Sequence, residues 1–351
     1  MRRFTLSVPA VKKTATVAAL SATLFLGGCS QLNRMGANVG LNYVKTYIAP
    51  HILSVNDAEM ACTSSNSLTP LIVAADAFGS HAGPMGALIY TGAAFCAEER
   101  GMAEELRYIR ASNLGNVEEA LDARTAQKRW YGVGAARQYE AYRLYAEDIE
   151  ARQKIRIGED CPKLRTDVDQ TIYFLAMLAG VQAITDDVTS GNQVGVPKDI
   201  AAKVERSMEC LDNNKYWGGP MALRAAIWDL LPGASEGKPD PIGVIKQQTK
   251  LGEAQGVRIA HAIYAMAAVS RGDEALIRDA IMTYGKTVGE VQVNPDFALV
   301  DTIAGQVVRN IADRYWTENT GHRAPIDNGL TQFWDSAPAD TGIDIDLDDI
   351  L

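Results

Sequence analysis

Between about residue 57 and residue 315, apolar positions recur at the i, i+3, i+4, i+7 spacing of amphipathic helices. The spacing predicts helices over Leu68–Phe78, Pro84–Glu99, Met102–Arg110, Asn116–Trp130, Ala135–Arg152 and Asp167–Thr185 in the first half. In the second half it predicts Pro197–Leu211, Pro220–Leu231, Gly252–Ser270, Asp273–Thr287 and Asp296–Tyr315. Pro70, Pro84 and Pro220 fit the first turn of a helix, where a missing N–H costs no bond. Gly101 breaks one periodic run, and turn residues crowd at Gly191–Gly195 and Pro232–Pro241. No period-two alternation is sustained before the C-terminus, so the expected fold is all-α.

Gly83-Pro84-Met85 and Gly219-Pro220-Met221 each follow a turn and each open an amphipathic helix. As second helices of helical hairpins they point to a hairpin repeat, a tetratricopeptide-like α-solenoid with degenerate repeats. Chance recurrence of a short tripeptide is the alternative that this echo alone leaves open.

The two ends break the helical pattern. Arg2, Arg3, Lys12 and Lys13 precede an apolar run from Val17 to Leu26, with no acidic residue before Cys29. These are the parts of a secretory signal over residues 1–28. Leu26-Gly27-Gly28-Cys29 looks like a bacterial lipobox, which makes Cys29 the expected lipidation site. The apolar run is shorter than the roughly 17–25 residues of a membrane span. Residues 29–56 then form a lipid-anchored N-terminal segment and 57–315 the helical-repeat domain. Residues 316–351 are expected to be an irregular acidic tail with exposed-looking Phe333 and Trp334. From Gly342 onward the tail alternates apolar and acidic residues, as a docking strand or as a disordered segment spread by charge repulsion. Ser30, in place of an aspartate, favours the outer membrane, facing the periplasm.

The chain carries 34 Lys+Arg against 43 Asp+Glu. Removing residues 1–28 leaves 30 against 43, a formal charge of −13. A surface field of that sign does not attract nucleic acid or anionic lipid, so attachment to the membrane falls to the lipid. With Cys29 assigned to lipid, four cysteines remain of five. An even number in an oxidising compartment suggests two disulfides. In an antiparallel hairpin the start of one helix lies beside the end of the next, which predicts Cys62–Cys96 and Cys161–Cys210. None has CxxC spacing, so no metal site is expected.

Catalytic patterns are missing. His51, His81, His261 and His322 form no HxxxH or HExxH motif, and GxSxG, Walker A and Rossmann patterns do not occur. The chain reads as a non-enzyme without cofactor. Asp186-Asp187 is an acid pair expected to sit solvated at a helix end. Arg258, His261 and Tyr264 share a helix face. They would line a ligand groove with Arg258 gripping a carboxylate, or form a packing face whose polar tips find backbone partners. Trp217 and Trp228 flank the Gly219-Pro220 helix start, as walls of an apolar pocket or as plain core.

Ile172-Tyr173-Phe174-Leu175-Ala176-Met177-Leu178-Ala179-Gly180, followed by Ala183-Ile184 and Asp186-Asp187, is an aromatic, alanine-rich helix ending in an acidic turn. Together with Trp217-Gly218-Gly219-Pro220-Met221-Ala222 and the lipobox, it resembles the T-component lipoproteins associated with TRAP (tripartite ATP-independent periplasmic) transporters, over about residues 65–290. The resemblance implies a tetratricopeptide-like fold, a homotrimer, a pore or groove, and a periplasmic solute-binding protein as partner. The four further cysteines and the acidic C-terminus depart from it. The expected function is therefore binding of a small apolar or organic-acid ligand, or of a solute-binding protein, as a transport accessory. The alternative is an outer-membrane assembly or scaffold adaptor.

Overall fold

The computed structural model describes residues 31–231 and 233–336. Cys29, the signal segment 1–28 and the run from Gly342 to Leu351 lie outside the described residues. Helix α1 (31–43) passes through a π-helical turn, Val44–Ile48, into α2, Ala49–Leu53. There follow α3 (Ala58–Ala74), α4 (Gly83–Asn113), α5 (Val117–Gln153), α6 (Asp167–Ser190) and α7 (Ile200–Ser207). The rest are α8 (Gly219–Leu230), α9 (Pro241–Gln255), α10 (Ile259–Arg271), α11 (Glu274–Gly285) and α12 (Ala298–Thr320). Among the described residues there is no strand, and no helix is long and apolar enough to cross a membrane. The fold is all-α, built of helical hairpins packed on their neighbours.

Side-chain caps set several starts. Asp57, Asn116, Asp240 and Asp273 accept from the N–H groups of Met60, Glu119, Gly243 and Leu276. Thr166 and Asp169 form a reciprocal capping box at α6. Each such cap contributes about 1 kcal/mol. Both Gly-Pro-Met tripeptides open helices, α4 and α8, with Pro at the first turn.

Several helices differ from the spacing. α9 is not among those expected, and the single helix expected over Gly252–Ser270 is divided at Gly256, whose positive φ of 74° ends α9 before α10 begins at Ile259. The break expected at Gly101 is absent, and α4 runs through it. The Cβ that Gly101 lacks would sit 3.0 Å from the ring of Tyr131, so the glycine admits the α5 aromatic rather than ending the helix. α5 likewise runs unbroken through Gly132 and Gly134. Helix α3 starts at Ala58, ten positions before Leu68, because Asp57 supplies the cap; Pro70 then lies inside it.

α4 and α5 form the longest hairpin, and α6 lies against both. α6 is apolar nearly all round, as a helix enclosed on every side must be; Tyr173, Phe174 and Met177 are fully buried. The α8–α9 and α10–α11 hairpins extend the core. α12 packs on α10 and returns to α4, where Asn310 donates to Glu99 at 2.5 Å and Arg314 meets Glu105 at 3.3 Å. The array therefore closes on its own beginning.

The C-terminal segment is not wholly a tail. α12 continues to Thr320, and the turns after it fold back on its end. Phe333, expected exposed, is 3% exposed, and it packs with Trp334 against Tyr315 and Trp316. Two large aromatics gain more by covering one another and α12 than by facing water.

Both cysteine pairs lie at disulfide distance, Cys62 with Cys96 and Cys161 with Cys210, each with Cα atoms 5.3 Å apart. The first joins α3 to α4. The second joins the loop after α5 to the 3₁₀ turn after α7.

Candidate functional site

The polar stripe on α10 is used in packing. Arg258 is buried and holds Asp301 of α12 through Nε and Nη2, at 2.9 and 2.5 Å. Its Nη1 donates to the Thr287 hydroxyl at 3.1 Å, and its guanidinium lies 4.9 Å from the centre of the Tyr284 ring. The Nε–Nη2 fork that would grip a ligand carboxylate is already taken by Asp301. His261 is fully buried, with Nε2 3.2 Å from Glu253 Oε1 and its ring edge-on to Tyr284. Tyr264 is fully buried and donates to Asp279 at 2.6 Å. The three tips find side chains, and Arg258 Nη1 also reaches the Thr287 carbonyl at 3.4 Å.

The two tryptophans also belong to the core and do not meet. Trp217 packs edge-on against Phe297 and Tyr216 before α8 begins. Trp228 lies eleven positions on, roughly 16 Å along a helix axis. Its Nε1 donates to Glu205 at 2.7 Å, and the Lys238 ammonium sits 4.5 Å from its ring centre.

A different set of residues encloses space. A cavity of about 180 Å³ opens between α3, α4, α6, α10 and α12. Each helix presents one stripe at helical spacing: Ala61, Ser65 and Leu68 on α3, and Leu88, Thr91 and Phe95 on α4. The others present Leu175, Leu178 and Gln182 on α6, Ile259, Ala262 and Met266 on α10, and Leu299, Ile303 and Val307 on α12. Ile259 and Ala262 lie one residue on from Arg258 and His261, a rotation of about 100° around the helix. None of the five expected ligand residues lines the cavity. Its lining is apolar except for hydroxyls, Gln182 of α6 and, from α4 and α5, Glu98 and Gln138.

Asp186-Asp187, expected in solvent, is buried, at 9% and 3% exposed. The two carboxylates have opposite fates. Asp187 accepts the N–H groups of Val194, Gly195 and Val196 at 2.8–2.9 Å. It folds the loop after α6 onto the helix end, and although burial opposes the charge, these bonds hold its pKa below the ordinary value. Asp186 points between α4 and α5 toward Glu98. The Cβ that Gly134 lacks would lie 3.0 Å from Asp186 Oδ2, so this glycine makes room for the carboxyl. Burial, and then the neighbouring Glu98, raise Asp186 well above its ordinary value. Burial pushes Glu98 up to about 7, with Glu99 adding to it and the hydrogen bond to Asp186 opposing it. Two acids this close share a proton. Tyr131 and Gln138 of α5 face the same pair. Among the described residues no three His, Cys, Asp or Glu side chains converge as a metal site.

Glu98 and His261 set opposing pH dependences. Glu98 titrates near 7 in the fold against about 4.5 when free, so its contribution is complete below 4.5 and is lost as pH rises through 7. Burial lowers His261 from 6.5 to about 4, so its contribution is complete above 6.5 and is lost as pH falls toward 4. The windows overlap and the two partly cancel. Glu98→Gln with Asp186→Asn is expected to leave a Tm that climbs with pH between 4 and 6.5, and His261→Gln one that falls between 4.5 and 7. The slopes should differ from the parent's by roughly a few degrees across the window. Circular-dichroism melts at half-unit steps check this; curves parallel to the parent's would refute it.

Comparison with protein-family models, with curated proteins and with solved structures gave no match.

Proposed function

We propose that this is a non-enzymatic, lipid-anchored protein of the cell envelope that binds a small, largely apolar ligand as an accessory of a TRAP-type transport system. Cys29 carries the anchor, at the outer membrane and facing the periplasm. The observation that carries this reading is the apolar cavity between α3, α4, α6, α10 and α12. Apolar cavities of this size stay dry and take small apolar molecules; an engineered one of about 150 Å³ takes benzene.

A second reading, a scaffold adaptor holding other proteins, draws on α1 and the turn after it. Leu32, Met35, Val39, Tyr43 and Tyr47 follow one another three or four positions apart and are 57–70% exposed. A contiguous apolar stripe on a soluble surface is suited to a partner.

Affinity capture of the native, lipidated protein, with solvent extraction and mass spectrometry, separates the two. The first reading expects a small molecule at near-equimolar yield. It also expects the same molecule on a Cys29→Ser chain released in soluble form with both disulfides. Recovery of stoichiometric protein partners without a small molecule would move the assignment to the adaptor.

A further inference from the structure

One wall of the cavity is polar, and its polarity has a sign. Glu98 and Gln138 border the space, with Asp186 behind Glu98. Gln138 directs an amide N–H to Glu98 and is itself 1% exposed. No lysine or arginine lines the cavity. Arg137 and Arg314 are engaged elsewhere: Arg137 donates to the carbonyl of Ala93 at 2.5 Å, and Arg314 pairs with Glu105 and Glu318. A carboxylate on an apolar cavity wall with no cation beside it is complementary to a ligand that brings donors and positive charge.

We propose that the cavity selects a small amphiphilic amine, whose apolar body lies among Leu88, Phe95, Leu178 and Met266 and whose ammonium donates to Glu98. This rests on the cavity being the binding site and adds the chemistry of the ligand's head. An ammonium has three donors and no acceptor. It neutralises the single charge that two carboxyls sharing a proton retain. An alcohol offers one donor and no charge. A carboxylate brings like charge to Glu98, so the organic acid expected from Arg258 is the wrong head for this wall. A body of about six carbons suits a volume near that of the cavity that takes benzene.

Calorimetric titration of the purified full chain at pH 8 with hexylamine, hexan-1-ol and hexanoate tests this. Hexylamine is expected to bind at least about tenfold more tightly than hexanol, as a charged hydrogen bond provides, with hexanoate weakest. Glu98→Gln is expected to abolish the preference for amine, and a circular-dichroism melt reports that the variant is folded. Hexanoate binding as tightly as hexylamine, or unchanged amine affinity in Glu98→Gln, overturns the proposal. Hexanol binding without any amine preference overturns it while sparing the cavity. Binding of none of the three counts against the cavity as a site, and the proposal falls with it.

Discussion

Replacing Arg258 with methionine is expected to destabilise the fold by about 3–5 kcal/mol, the cost of leaving one member of a buried ion pair alone. Asp301 is 2% exposed and accepts from three groups, all on Arg258: the backbone N–H at 2.8 Å, Nε at 2.9 Å and Nη2 at 2.5 Å. Methionine fills much of the arginine's volume but leaves the carboxylate with the backbone N–H only. The Thr287 hydroxyl and the Tyr284 face lose their cation at the same time. Because Arg258 precedes α10, Asp301 lies on α12 and Thr287 follows α11, the loss loosens three elements together. Arg258→Met with Asp301→Leu should recover part of it, since two apolar groups replace a buried pair at little cost. Recovery stays incomplete because the introduced leucine side chain cannot accept the backbone N–H that Asp301 accepts. Urea unfolding midpoints read all three chains. A single-variant loss below about 1 kcal/mol, with weakened ligand binding instead, would return Arg258 to the ligand-gripping role that its spacing allowed.

Most of the helices, their order and both disulfides are legible in the chain because each rests on a local signal; α9 is not, and its boundary with α10 at Gly256 is read as continuous helix. Period, caps and Gly-Pro-Met starts need no knowledge of distant residues, and hairpin geometry turns four helix ends into two cysteine pairs. What is not legible depends on partners far along the chain. Gly101 and Gly134 read as interruptions because a glycine that ends a helix and one that admits Tyr131 or Asp186 look alike until the neighbour is known. Asp186 reads as solvated because Glu98 and Gln138, which bury it, belong to two other helices. On α10 the stripe of Arg258, His261 and Tyr264 is visible, but Asp301, Glu253 and Asp279, which engage its polar tips, are not. The cavity stripe Ile259, Ala262 and Met266 is as regular as any core stripe. Whether it faces atoms or space is set by how five helices close together, and no single helix encodes that.

Breaking the two disulfides is expected to have unlike effects despite nearly equal loop entropies. Their sequence separations are 34 and 49. Loop closure depends only on the logarithm of length, so each contributes up to about 4 kcal/mol. The surroundings distinguish them. Cys161–Cys210 sits beside buried Val204 and Met208, where Tyr173 also donates to the Ser207 carbonyl at 3.1 Å. Cys161→Ser with Cys210→Ser should therefore lower the global unfolding midpoint and leave the cavity intact in native buffer. Cys62–Cys96 fastens a helix with little else to hold it. Of the 17 residues of α3 only Cys62 and Thr69 are buried, and Cys62, Phe95 and Cys96 form a small cluster apart from the main core. Without that bond α3 should open by itself. Amide exchange in residues 58–74 should rise by up to about a thousandfold, the equivalent of about 4 kcal/mol, while α6 and α10 stay protected. Since α3 forms one wall of the cavity, hexan-1-ol should leave the Cys62→Ser, Cys96→Ser chain faster than it leaves the parent. Exchange-mass spectrometry on peptides from α3 decides the matter: unchanged protection there would mean that packing, not the covalent bond, keeps the wall closed. The predicted dependence makes an oxidising compartment a condition for ligand retention, because the fold can survive reduction at Cys62–Cys96 while the cavity loses its cover.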